Sequence, residues 1–147
     1  AVSIVHSGLI FNRKGGMFSS LDVCSLDLYT GICEFLKAGA ATTFIRRGNW
    51  VETITSTSMA AGLVQKLEFE KTTKKLYDGD YLVMVTDGVL DAFGEEPGEE
   101  ILKEWILQAQ EQMPKELGRY LLEKTLQYAD YRAKDDMTVL VAGIWRK

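Results

Sequence analysis

The run Tyr81-Leu82-Val83-Met84-Val85-Thr86-Asp87-Gly88-Val89-Leu90-Asp91-Ala92 decides how the rest of the chain is read. Its first five residues are apolar or aromatic, and Asp78-Gly79-Asp80 precedes them while Asp87-Gly88 follows. A short apolar run bounded by turn residues predicts a strand buried on both faces. Such a strand holds its backbone rigidly, so Asp87 leaves the sheet from a fixed point, which is how a metal ligand or an acid is presented. Asp-Gly is also an ordinary turn dipeptide. On this stretch alone, turn and ligand account for Asp87 equally well.

Upstream, the hydrophobic period is two from Leu21 onward. Leu21 to Tyr29 and Ile32 to Lys37 read as a hairpin about Thr30-Gly31, and Thr43 to Arg47 with Trp50 to Ile54 as a second about Gly48-Asn49, a pair able to take positive φ. A two-residue turn at Thr30-Gly31 pairs Leu28 with Cys33 and sets Cys24 opposite Lys37, too far along the ladder for the two cysteines to bridge. Free thiols in a reducing cytoplasm are expected. Asp22 and Asp27 are read as water-facing or strand-capping. Thr55 to Gly62 is small and polar, a loop, and Leu67-Glu68-Phe69-Glu70 alternates like a half-exposed strand. Residues 1 to 11 carry Val2, Val5, Leu9 and Ile10 at helical spacing, and His6, the only histidine, sits among them. One histidine is too few for a His-rich zinc site.

Downstream, Ile101, Trp105, Ala109 and Met113 form one helical face and Leu117, Leu121, Thr125 and Tyr128 the next, with Pro114 at the break. Trp105 and Met113 are read as core. Glu95, Glu96, Glu99 and Glu100 suit a helix start, where carboxylates favour the dipole, and are not assigned to metal. Then Asp130-Tyr131-Arg132-Ala133-Lys134-Asp135-Asp136 feeds Met137 to Trp145, a further buried strand. One strand delivers an aspartate where it ends, and another is preceded by a pair.

The 147 residues are 46% hydrophobic and 26% charged, which suits one globular domain with a core. A net charge of −4 with scattered basic residues argues against nucleic acid as partner. No apolar run has the length of a membrane helix.

Carboxylates without histidine or cysteine suit hard divalent cations. Asp87 and Asp135 meet at one sheet end if their strands are neighbours. Two metal ions there would activate a water and stabilise both oxygens of an in-line displacement at phosphorus. Asp91, four residues after Asp87, suits a place beside it. A Gly-x-Ser-x-Gly elbow, a Gly-Lys-Ser/Thr phosphate loop and a Gly-x-Gly-x-x-Gly run are all absent.

Thr86-Asp87-Gly88-Val89-Leu90-Asp91 followed by Lys134-Asp135-Asp136-Met137-Thr138-Val139 resembles the metal-dependent (2C-type, PPM) protein phosphatases. Within them the chain is most similar to the stage II sporulation protein E phosphatase domains, through Met17-Phe18-Ser19-Ser20-Leu21-Asp22-Val23, Leu26-Asp27-Leu28-Tyr29-Thr30-Gly31, Lys37-Ala38-Gly39-Ala40 and Phe44-Ile45-Arg46-Arg47-Gly48. The resemblance implies an α+β fold, an α/β/β/α sandwich of two antiparallel sheets flanked by helices. It implies two manganese or magnesium ions and hydrolysis of phosphoserine or phosphothreonine on a protein.

Carried over, Asp87 and Asp135 are metal ligands, and Gly88 completes the Asp-Gly metal motif. Asp91 matches an aspartate linked to water or a third metal. Asp136, where many relatives carry Asn, is a supporting residue. The implied substrate is a phosphorylated anti-anti-sigma factor in sporulation or stress sigma-factor control. The implied setting is the cytoplasm, on a parent protein with a membrane region elsewhere, and a homodimer is compatible with it. The family's first Asp-Gly, whose carboxylate bridges both ions, has no match in Asp22 or Asp27. Residues 1–147 are therefore expected to be the C-terminal portion of a single phosphatase domain, N-terminally truncated, and inactive or nearly so alone. Two rival readings stand beside this one: a receiver-type signalling domain, which needs a parallel sheet, and a non-catalytic phosphatase-like docking domain.

Overall fold

The computed structural model describes residues 19–60, 70–110 and 113–145. The helix expected over residues 1 to 11, with His6, lies outside them. The chain divides into two compact units, residues 1–40 with 55–75, and residues 41–54 with 76–147.

The first unit contains a three-stranded antiparallel sheet of order β1-β2-β5, with β1 at Leu21–Leu26, β2 at Ile32–Ala38 and β5 at Glu70–Lys75. The hairpin joining β1 to β2 turns through residues 27–31 instead of a two-residue turn, because Asp27 organises the loop. Its Oδ1 accepts from Tyr29 N at 2.8 Å and from Thr30 N, and Asp27 N donates to Ile32 O at 2.8 Å. The register is thereby two residues away from the expected one: Leu26 faces Cys33 and Cys24 faces Phe35. Cys24 and Cys33 become diagonal neighbours on one face, unbridged but with Sγ atoms 2.9 Å apart. The expectation that the ladder separates them is wrong for that reason.

Asp22 is likewise not water-facing. It lies opposite Lys37 in the ladder and accepts from Lys37 Nζ at 2.5 Å, with the lysine 1% exposed. Of the strand expected over 67–70, only Glu70 is described; it opens β5, a polar edge strand with alternating exposure. Lys71 on it pairs with Glu34 at 2.7 Å.

The second unit holds a four-stranded antiparallel sheet of order β4-β3-β6-β7, with β3 at Thr43–Arg47, β4 at Trp50–Ile54, β6 at Tyr81–Val85 and β7 at Val139–Gly143. β3 and β4 form the expected hairpin. Arg47 faces Trp50, and Gly48 takes the left-handed φ of +56° that this tight turn requires. β6 lies between β3 and β7 and is buried apart from Met84, which is half-buried. β7, expected to be buried, is an edge strand with Leu140 51% exposed.

Three helices accompany this sheet: α1 at Asp87–Asp91, α2 at Gly98–Gln108 and α3 at Pro114–Tyr128. Pro114 opens α3, where its missing N–H costs nothing. Phe44, Val83, Val85, Val89, Leu102, Ile106, Leu117 and Leu121 form the core with Phe93 and Trp105. Met113 is corrected from core to surface, 64% exposed, because α2 ends at Gln108 and leaves it at the N-cap of α3. Every described strand pairing is antiparallel, which removes the receiver-type reading. Among the described residues no helix is long and apolar enough to cross a membrane.

Candidate metal centre

The antiparallel pairing of β6 with β7 sets Val85 opposite Val139. Asp87 follows the end of one strand and Asp135 precedes the start of the other, so both arrive at the same end of the sheet. The two segments touch there. Thr86 N donates to Thr138 O at 3.1 Å, Thr138 N donates to Thr86 Oγ1 at 2.9 Å, and Thr86 Oγ1 donates to Asp136 O at 3.3 Å. Gly88 is buried in this contact. A β-carbon on it would lie 2.4 Å from Asp136 O, closer than any side chain can come, so the residue after Asp87 has to be glycine for the 135–136 segment to pass.

Asp87 and Asp135 are both exposed, and each carboxylate accepts a hydrogen bond from the next amide: Gly88 N at 3.1 Å and Asp136 N at 2.7 Å. Asp91 ends α1, four residues and about one helical turn after Asp87, and is exposed. Asp136 enters the contact through its backbone carbonyl, with its side chain in the same exposed segment. Carboxylate oxygens at an accessible strand end match Mn²⁺ or Mg²⁺ in donor type. Among the described residues no three such groups gather into a complete shell.

Two further features of this unit involve residues other than the four candidate aspartates. Asp80 is 2% exposed and receives Arg47 in a two-pronged pair, Nε to Oδ1 at 3.0 Å and Nη2 to Oδ2 at 2.7 Å, while Tyr77 N donates to it at 2.8 Å. The side-chain hydrogen bonds from Arg47 to Asp80 raise the guanidinium pKa further. A carboxylate at the mouth of a buried strand needs a cation, and Arg47 lies at the end of the neighbouring hairpin strand. Thr86 and Thr138 flank the aspartate motifs as hydroxyl residues, and their pairing emerges only with the β6–β7 register.

The family profile of stage II sporulation protein E (SpoIIE) matches residues 3–145. The stage II sporulation protein E of Bacillus subtilis is 27% identical over 145 residues, 98% of this chain and 18% of that protein. That of Priestia megaterium is 29% identical over 145 residues, 98% of this chain and 25% of that protein. The chain thus spans a quarter or less of these relatives.

Among solved structures, the PP2C phosphatase domain with a fragment of the regulatory domain of SpoIIE from B. subtilis superposes at a TM-score of 0.90 and 26% identity, over 99% of this chain and 44% of that one. The manganese-presoaked phosphatase domain of the same protein gives 0.82 at 25% identity, over 99% and 66%. Two antiparallel sheets with helices are the PP2C phosphatase fold, as the resemblance implied. Matched by the family profile over nearly its whole length, the chain belongs to the stage II sporulation protein E family.

Proposed function

We propose that this chain is part of a metal-dependent protein serine/threonine phosphatase in which Asp87 and Asp135 ligate Mn²⁺ or Mg²⁺. The observation that carries the reading is the contact between the Asp87-Gly88 turn and the 135–136 segment, bonded through Thr86 and leaving no room for a side chain at position 88. Family membership supports phosphatase chemistry, and the carboxylate donor set supports a hard divalent cation. Two such ions, when bound, supply an activated water and charge stabilisation for displacement at phosphorus.

In this reading Asp87 and Asp135 hold the cations from two separate segments. Asp91 and Asp136 orient water at their edge. The substrate is a phosphoserine on a protein of the anti-anti-sigma factor type, in sporulation sigma-factor control, reached in the cytoplasm.

The test is phosphate release from a phosphoserine protein by the full-length protein with Mn²⁺, beside calorimetric Mn²⁺ titration. Asp87→Asn and Asp135→Asn are expected to lose both activity and metal binding. Turnover that survives Asp87→Asn, or that needs no divalent cation, would refute the assignment. A full-length protein that neither binds Mn²⁺ nor turns over would instead favour the docking-domain reading.

A further inference from the structure

Thr86 stands where a strand becomes a helix, between the last residue of β6 and the first of α1, as the N-cap of that helix. The β6–β7 register continues to Thr86 opposite Thr138, and half of that rung is made normally, by Thr86 N donating to Thr138 O at 3.1 Å. The other half would take the Thr86 carbonyl. That carbonyl already accepts from Val89 N at 3.0 Å in the first turn of α1. The hydroxyl substitutes for it: Thr138 N donates to Thr86 Oγ1 at 2.9 Å, and Oγ1 donates in turn to Asp136 O at 3.3 Å. A threonine at a helix N-cap ordinarily accepts from an amide of its own helix. Thr86 makes no such bond, and its hydroxyl serves the facing segment instead.

We propose that Thr86 is a positioning residue that sets the segment bearing Asp135 against the turn bearing Asp87; this rests on the reading of both aspartates as metal ligands. One oxygen must accept a backbone N–H and donate to a backbone carbonyl, which a hydroxyl can do and a methyl cannot. Thr86 precedes Asp87 directly, and its two hydroxyl partners bracket Met137, next to the Asp135-Asp136 pair. Without the hydroxyl, both carboxylates remain but the distance between them is no longer held. Losing a contact that orients metal ligands weakens metal affinity about 10–100-fold.

The experiment compares full-length wild type, Thr86→Val, Thr86→Ser and Asp87→Asn by calorimetric Mn²⁺ titration, with hydrogen exchange at the Thr138 amide in metal-free protein. Thr86→Val is expected to weaken Mn²⁺ binding about 10–100-fold and to speed exchange at Thr138. Thr86→Ser is expected to stay within about threefold of wild type in both, a rescue that a purely steric role for the side chain would not give. Mn²⁺ affinity of Thr86→Val within about twofold of wild type, while Asp87→Asn fails to bind, overturns this inference alone and leaves the metal reading standing. Wild type that binds no Mn²⁺, or Asp87→Asn that binds as well as wild type, overturns both. Where valine prevents folding, Thr86→Ala is measured against the same thresholds.

Discussion

In the β1-β2-β5 sheet carboxylates are engaged by the structure around them, whereas at the end of the β4-β3-β6-β7 sheet two of them are left accessible. Asp22 is held by the buried Lys37, and Asp27 accepts from two amides of its own loop. The backbone hydrogen bond from Tyr29 leads in holding the Asp27 carboxyl below its usual range. Among the described residues, Asp87 and Asp135 each accept through the carboxylate only from the amide of the following residue. The sheets differ to match. Exposure alternates along β1 and β5, while β6 is buried along nearly its whole length and delivers Asp87 from a fixed backbone. A carboxylate becomes a candidate ligand when a rigid strand brings it to the surface and the described residues around it leave its oxygens accessible.

The sharpest way to break this contrast is to remove one carboxylate from each region. Asp87→Asn or Asp135→Asn in the full-length protein is expected to cut Mn²⁺-dependent phosphate release by more than about 100-fold, beyond the loss typical of residues that merely orient ligands. Asp27→Asn is expected to leave the rate within about twofold, since exposed hydrogen bonds contribute little. Equal losses in the two regions would dissolve the distinction.

Stability provides the next comparison. Phe44, fully buried in the second unit, is expected to cost about 3–5 kcal/mol on truncation to alanine. Val23 of β1, 39% exposed, is expected to cost less than about 1 kcal/mol. Urea denaturation of Phe44→Ala and Val23→Ala checks both.

The Cys33 thiol, buried beside Cys24, is pushed up from 9.0 to about 12, mainly by loss of solvent. The folded thiol therefore holds its proton more tightly than the unfolded one. The stability it contributes is intact below about pH 9 and drains away as pH rises towards about 12. Iodoacetamide at pH 8.5 is accordingly expected to label Cys33 at least about tenfold more slowly in the folded protein than in urea. Equal rates would show that the strand is not buried as described.

The smallest effect concerns the end of α3, which closes with Asp130 at φ +49° and Tyr131 at φ +56°. Tyr131 N donates to Leu126 O at 2.8 Å and Asp130 N to Gln127 O at 3.1 Å, the bond pair of a helix stop that favours glycine. Asp130→Gly is expected to stabilise by about 0.5 kcal/mol, read as a small rise in Tm.

What the sequence determined by itself is what depends on neighbours in the chain. Gly48-Asn49 has the turn chemistry of its hairpin, the apolar run 81–85 has no solvent face to offer, and Pro114 can begin a helix but not continue one. Asp87 and Asp135 stood out because their motifs are contiguous. The register of β1 on β2, and with it the meeting of Cys24 and Cys33, was decided by the loop that Asp27 organises. The ion pair of Asp22 with Lys37 follows from that register, as the Arg47–Asp80 pair follows from β3 lying beside β6. Met113 lost its place in the core because α2 stops before reaching it. Thr86 shows the limit most plainly: as a residue between a strand and an aspartate it is unremarked, and only the strand opposite gives its hydroxyl two partners. Local preferences are short-ranged, while a hydrogen bond across 52 positions exists only after the sheet has paired.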